Sequence, residues 1–306
     1  MPFTTTPSGI RIDHEVVGEG DDLVLVHGIT ESKQTWDPVL PHLAEGHRLI
    51  LLDLRGHGQS DVADVHDLES MAADVKAVLD EVGAENPVVV GHSLGGMVVS
   101  VLAAITPVRA VVNVDQPLAL AGFKDALTPL EPMLRGDAFA QVMAGMFDGY
   151  AGPLPEEEKA RVGALRTPVQ QVVLDIWSPV FDQTVEELDA LVRDMLDGLE
   201  APYLALHGDD PGPDYRAWLT DVIPQAQLEV WDGMAHYPHL MEPARFAERV
   251  RSFVNDSCEY FRVRGIAHKH SSSQCRHVPR RRKGRPTPSL CWCVLRREGD
   301  RLPSSH

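Results

Sequence analysis

Six short runs dominated by Val, Ile and Leu, at residues 23–26, 49–52, 87–90, 110–114, 203–206 and 228–231, constrain this chain more than any other feature. Each is too short for a buried helix, and the runs at 23–26, 49–52, 87–90 and 203–206, unbroken by any polar residue but a tyrosine, are too continuous for a strand with one wet face. Strands buried on both faces of a parallel sheet need such runs, because helices cover each face and leave no polar side. Between them, residues 68–82 set Leu68, Met71, Val75, Val78, Leu79 and Val82 on the helical period, and residues 94–105 carry the same period. Strand and helix in alternation imply right-handed crossovers. Residues 10–16 alternate with period two, as a half-exposed antiparallel edge hairpin does. The predicted fold class is therefore α/β: a mostly parallel sheet of about eight strands with helices on both faces.

The rhythm breaks at residues 117–199. No strand-like run appears there, and helical patterns carry Met133, Phe139, Met143, Met146, Phe147, Val172, Val173, Ile176, Trp177 and Leu188. We read this segment as an inserted helical cap, or lid, on a core made of residues 1–116 and 200–254. The core resumes at Pro202 and closes with an amphipathic helix over residues 243–254. Residues 255–306 hold 12 Lys and Arg against 4 Asp and Glu, include the run Arg280-Arg281-Arg282-Lys283, and show no sustained period. They are expected to form a basic, disordered tail without a core.

The net charge of −17 thus conceals a body of −25. A body this acidic repels nucleic acid and anionic membrane, which leaves a small neutral or apolar molecule as the expected partner. All four cysteines (Cys258, Cys275, Cys291, Cys293) lie in the tail, so the body can hold no disulfide. With no apolar stretch of about 18 residues and no charged-then-apolar leader, a cytoplasmic location is expected. The tail's C-x-H and C-x-C spacings are not those of zinc fingers, and no phosphate-loop or dinucleotide pattern occurs, so neither metal nor cofactor is expected. Oligomeric state is not legible.

Chemistry enters at Gly91-His92-Ser93-Leu94-Gly95, which matches G-x-S-x-G and stands directly between the run at 87–90 and the helix at 94–105. A serine there projects its hydroxyl above the sheet at a helix N-terminus, where backbone N–H groups favour negative charge. An acyl-transfer oxyanion needs two N–H donors. Leu94, after the nucleophile, offers one, and Ile29 in His27-Gly28-Ile29, after the first parallel run, offers the other. Of 14 histidines, His236 follows the last strand in Trp231-Asp232-Gly233-Met234-Ala235-His236, which sets an imidazole at the carboxyl edge beside Ser93. His239, in the same loop, reads as structural support.

Gly91-His92-Ser93-Leu94-Gly95-Gly96, His27-Gly28, Asp53-Leu54-Arg55-Gly56-His57-Gly58-Gln59-Ser60 and Ala235-His236-Tyr237-Pro238-His239, in this order, resemble the α/β-hydrolase superfamily over roughly residues 8–254. Within it the chain is similar to the capped esterase, perhydrolase and carbon-carbon hydrolase group. The resemblance implies that the loop at Asp53 is structural and that the triad acid lies between Ser93 and His236. In the family that acid commonly stands three residues after the glycine ending the penultimate strand; here that place is Pro211. Asp210, just before the proline, is the first choice. Asp115, which ends the run at 110–114, is the rival, with Asp209 and Asp214 behind.

The expected activity is cleavage of carboxylic esters by a serine hydrolase through an acyl-enzyme. Lactone hydrolysis, perhydrolysis and carbon-carbon hydrolysis are alternatives on the same triad. A serine nucleophile argues against haloalkane dehalogenase and epoxide hydrolase, which use a carboxylate. The reading from another class is a non-catalytic, hydrolase-like ligand-binding protein. The expected partner is a small ester or lactone with an apolar group, with no nucleic acid and no membrane.

Overall fold

The computed structural model describes residues 2–264. Its eight strands are β1 (Phe3–Thr5), β2 (Arg11–Gly18), β3 (Asp21–Val26), β4 (His47–Leu52), β5 (Val88–His92), β6 (Ala110–Val114), β7 (Tyr203–His207) and β8 (Ala226–Val230). They form one sheet in the order β1-β2-β4-β3-β5-β6-β7-β8. The β1–β2 and β2–β4 pairs are antiparallel; every later pair is parallel. All six apolar runs are strands, although the last begins two residues earlier than its apolar run and ends at Val230.

The helices are α1 (Leu40–Leu43), α2 (Leu68–Val82), α3 (Leu94–Ile105), α4 (Ala121–Leu127), α5 (Glu131–Leu134), α6 (Phe139–Ala151), α7 (Glu156–Leu165), α8 (Gln170–Asp182), α9 (Val185–Met195), α10 (Pro213–Val222), α11 (Pro238–Met241) and α12 (Pro243–Arg264). Because side chains alternate across a strand, each parallel run feeds two cores. Val24, Val26, Ile50, Leu52 and Val89 pack with Val75, Val78, Val98 and Leu102 of α2 and α3. Leu23, Leu25, Leu49, Leu51 and Val90 pack on the opposite face with Leu43 of α1 and Phe246, Val250 and Phe253 of α12. Six helices, α4 to α9, stand between β6 and β7. Their Phe139, Met143, Phe147 and Trp177 join the first core.

The amphipathic helix expected to close at Val254 continues to Arg264, with Ser257 buried and its hydroxyl donating to the Phe253 carbonyl at 2.7 Å. The first ten residues of the expected tail are therefore helical, and the apolar face of α12 does not end at Val254, since Ser257 one turn further on is still buried. Residues 265–306, including the Arg280 run and three of the four cysteines, lie outside the described residues. Among the described residues no helix is long and apolar enough to cross a membrane.

A buried ion cluster locks the loop that follows β4. Lys33 Nζ pairs with Asp13 and, at 3.1 Å, with Asp53, all at most 2% exposed. Asp53 also accepts the N–H groups of Lys33 at 2.7 Å and Gln59 at 2.9 Å, so its role is to hold the loop. Removing the cation would leave two buried carboxylates facing each other. Lys33→Met is expected to cost about 3–5 kcal/mol in urea unfolding. A loss under about 1 kcal/mol, the value of a surface pair, would show that the cluster is solvated.

Candidate active site

The strand order reverses between β3 and β5, which lie side by side while β4 and β6 flank them. Loops leaving their carboxyl ends diverge to opposite faces and open a crevice, the position at which α/β sheets bind ligands. Ser93 leaves β5 and Ile29 leaves β3 at this point.

Ser93 is the single residue between β5 and α3 and holds φ 51°, ψ −126°. Its N–H donates to the Val114 carbonyl at 3.0 Å. Position 95 must be glycine, since a Cβ there would stand 2.3 Å from the Val26 carbonyl oxygen and stop α3 from seating on β3. Among the described residues, five non-glycine residues have positive φ, and four of them ring this crevice: Thr30 at 63°, Ser93 at 51°, Asp115 at 53° and Ala235 at 48°. Strain gathered at one edge of the sheet is the mark of a site whose geometry the fold imposes.

Both predicted oxyanion donors lie here. Ile29 and Leu94 are buried, and among the described residues neither backbone N–H has a hydrogen-bond partner. The direction of the Ile29 N–H is set by its own peptide plane, because the Gly28 carbonyl and the Ile29 N–H point opposite ways. That carbonyl accepts from His27 Nδ1 at 2.7 Å and from the Glu31 N–H at 3.2 Å. Burial pushes the His27 imidazole below its ordinary pKa. It therefore sits neutral, with Nδ1 carrying the proton and Nε2 accepting the Leu54 N–H at 3.0 Å.

The loop after β8 brings in His236. Met234 N–H donates to the Gly208 carbonyl at 3.1 Å, and a Cβ at Gly208 would fall 1.7 Å from the Ala235 carbonyl oxygen. Only glycine at 208 lets this loop press onto the end of β7. His236 Nδ1 lies 2.7 Å from Asp115 Oδ2, and Asp115 Oδ1 accepts the Gly208 N–H at 2.8 Å. A ring nitrogen this close to a carboxylate oxygen carries the proton, which leaves Nε2 as the basic nitrogen. His92 ties the loop to the elbow by donating from Nε2 to the His236 carbonyl at 2.8 Å.

Asp115, not the expected Asp210, is the carboxylate at His236. Asp210 is 58% exposed and accepts from the Gly212 N–H at 2.9 Å and from Arg216 at 3.0 Å, in the turn that opens α10. Asp209 and Asp214 are exposed as well. With Pro211 where the family acid would stand, the short turn runs outward into α10. Asp115 sits one strand nearer to Ser93, and its positive φ turns its side chain under the β8 loop.

Burial raises the pKa of the Asp115 carboxyl, but His207 and His236, the His236 charge and the Gly208 N–H outweigh it and hold it well below the usual carboxylate range. Of the two imidazoles only His236 is within bonding distance; His207 Nδ1 is 3.6 Å from Oδ1. Burial, partly offset by Asp115 and reinforced by His92, lowers the His236 pKa below that of an ordinary histidine. The ring of Tyr150, from α6, lies 5.0 Å from that of His236. Buried His239 packs between Trp36 and His92, at 4.7 and 4.5 Å between ring centres, as expected of a structural residue.

Glu31, Tyr150, His207 and Tyr237 were not legible as site residues. No spacing marks them, since burial of a carboxylate or contact between distant rings arises only when the strands are assembled. A cavity of about 440 Å³ along α5 and α6, lined by Leu130, Met133, Val142 and Met146, does not include Ser93, His236 or either oxyanion donor.

A family described as alpha/beta hydrolase fold matches residues 22–165. The chain is 31% identical over 252 residues to a pimeloyl-[acyl-carrier protein] methyl ester esterase of Klebsiella pneumoniae, covering 76% of this chain and 94% of that one. It is 27% identical over 261 residues to a non-heme haloperoxidase of Rhodococcus erythropolis, covering 77% and 93%. Among solved structures, an esterase from Rhodococcus sp. ECU1013 is similar at 30% identity and a TM-score of 0.65, covering 83% of this chain and 98% of that one.

Proposed function

The chain belongs to the α/β-hydrolase superfamily, and within it we propose a serine esterase that works through an acyl-enzyme, with Ser93 as nucleophile, His236 as base and Asp115 as the orienting acid. The observation that carries this reading is the 2.7 Å hydrogen bond from His236 Nδ1 to Asp115, in a loop tied by His92 to the strained turn that presents Ser93. Ser93 Oγ attacks the ester carbonyl carbon while His236 Nε2 takes its proton. Negative charge collects on the carbonyl oxygen between the Ile29 and Leu94 N–H groups. Collapse breaks the carbon–oxygen bond, and His236 returns the proton to the departing alcohol. Water, deprotonated by the same nitrogen, then releases the acid.

We assign residues 117–199 the role of a cap over this crevice. Its Met143, Phe147 and Trp177 share a core with Ile29 and Leu94, which favours an apolar acyl or aryl group on a small ester or lactone. Similarity to a non-heme haloperoxidase favours perhydrolysis as a second activity, with hydrogen peroxide in place of water in the last step. A fluorophosphonate probe tests the central claim: mass mapping should find the label on Ser93 alone, and a chain that takes no label is a binding protein instead.

The pH profile follows from His236. The protonated ring cannot accept the Ser93 proton, so activity is lost as pH falls through the His236 pKa and is complete above it. Because burial lowers that pKa from 6.5, the acid limb of kcat/KM should lie below 6.5, with a plateau at pH 7. A limb centred at or above 6.5 would mean that His236 is not the desolvated base.

A further inference from the structure

One buried carboxylate is not used by this mechanism. Glu31 sits two residues beyond Ile29 and is 2% exposed. Its Oε2 accepts the Gly28 N–H at 3.2 Å and lies 3.5 Å from His92 Nδ1, and its Oε1 accepts the Tyr237 hydroxyl at 2.6 Å. Tyr237 receives a second bond, at 2.5 Å, from Arg166, which follows α7 and lies 3.9 Å from Glu31. Three of these partners, Gly28, His92 and Tyr237, are sequence-adjacent to a working part. Gly28 precedes the Ile29 N–H, His92 precedes Ser93, and Tyr237 follows His236.

We propose that Glu31 is a positioning residue for catalysis, whose carboxylate holds the Gly28–Ile29 turn in register with the elbow at Ser93 and the loop at His236. This rests on the serine-esterase reading above. The peptide on the far side of the turn is clamped by His27 through the Gly28 carbonyl; Glu31 clamps the preceding N–H, so Gly28 is held from both sides. An ideal Cβ on Gly28 would lie 3.2 Å from Ser93 Cβ and 3.1 Å from Glu31 Oε2, so this turn, the carboxylate and the nucleophile's residue stand close together with little free space between them. Burial opposes ionisation of Glu31, yet His92, Tyr237 and Arg166 together hold it well below the usual carboxylate range. It is a fixed anion at neutral pH, and a buried anion bonded to several donors tolerates little displacement.

Glu31 touches no substrate, so its effect should appear where charge develops on the carbonyl oxygen and not in ground-state binding. Glu31→Gln keeps the shape but turns one acceptor into a donor facing another donor. On p-nitrophenyl acetate, kcat should fall about 10- to 100-fold with KM within about threefold, the pattern of a misplaced oxyanion donor. Affinity for benzeneboronic acid, which forms a tetrahedral adduct with the serine hydroxyl, should fall by a similar factor, while affinity for p-nitrophenol stays within about threefold. A merely structural role would lower the melting temperature and leave these ratios alone, as the core truncation Val75→Ala is expected to do. Tyr237→Phe, which keeps the carboxylate and removes one donor, should show a smaller loss of the same kind, and it decides the matter if Glu31→Gln does not fold. Unchanged kcat and boronate affinity in the folded variant overturns the proposal. A parent that takes no fluorophosphonate overturns the esterase reading and this one together; a labelled parent with a fully active Glu31→Gln overturns this one alone.

Discussion

Ser93→Ala is expected to lower kcat for p-nitrophenyl esters by about 10⁴ to 10⁶ while leaving the fold intact. The substitution removes one hydroxyl that has no hydrogen-bond partner among the described residues, and it keeps the Cβ that the turn already accommodates. Near-ultraviolet circular dichroism and the urea midpoint should therefore match the parent. Residual turnover would come from the oxyanion donors and from binding, with water attacking directly. His236→Ala should cost nearly as much, and the double variant little more, because the two residues serve one proton transfer and their losses do not add. Activity of Ser93→Ala within tenfold of the parent would remove Ser93 from the reaction. A double variant far worse than either single one would show that they do not share a step.

Asp115→Asn is expected to lower kcat by about 10⁴, and Asp210→Asn to change it less than about threefold. The amide at 115 can present an N–H to His236, which forces the imidazole into the tautomer with its proton on Nε2 and abolishes its capacity as a base toward Ser93. Asp210 offers no such route, since its bonds go to Gly212 and Arg216 in an exposed turn. The loss at Asp115 should fall on kcat with KM little altered, because the carboxylate orients the base and stabilises the imidazolium of the transition state. Full activity in Asp115→Asn together with a large loss in Asp210→Asn would restore the acid to the turn after β7.

Much of this molecule was legible in the residues alone because burial on both faces writes itself into composition. A central strand with helices above and below can carry almost nothing but Val, Ile and Leu, so the runs at 23–26, 49–52, 87–90, 110–114 and 203–206 announce both the strands and their parallel sense. Ser93 was legible for a related reason. A residue between a strand and a helix with a backbone 2.3 Å from any Cβ at position 95 leaves glycine as the only solution, and the pattern of glycines around a serine records that contact. His236 was found from its place after the last strand, since every loop after a parallel strand emerges at the same edge.

The acid and the network behind the oxyanion turn were not legible in this way. Whether Asp115 or Asp210 reaches His236 depends on the path of the loop after Gly208, on the pressure of Ala235 against it, and on a positive φ at Asp115, none of which has a period or a composition. The clamp at Glu31 joins residues that are 61 and 206 positions apart in the chain, His92 and Tyr237. Local chain geometry determines strands, helices and the tight turns between them, because those depend on neighbours in sequence and on which side of an element meets water. Reach between side chains on different loops depends on distances of a few tenths of an ångström after the sheet has twisted and the loops have packed. Only the assembled tertiary structure decides those, and in this protein it gave the imidazole to Asp115.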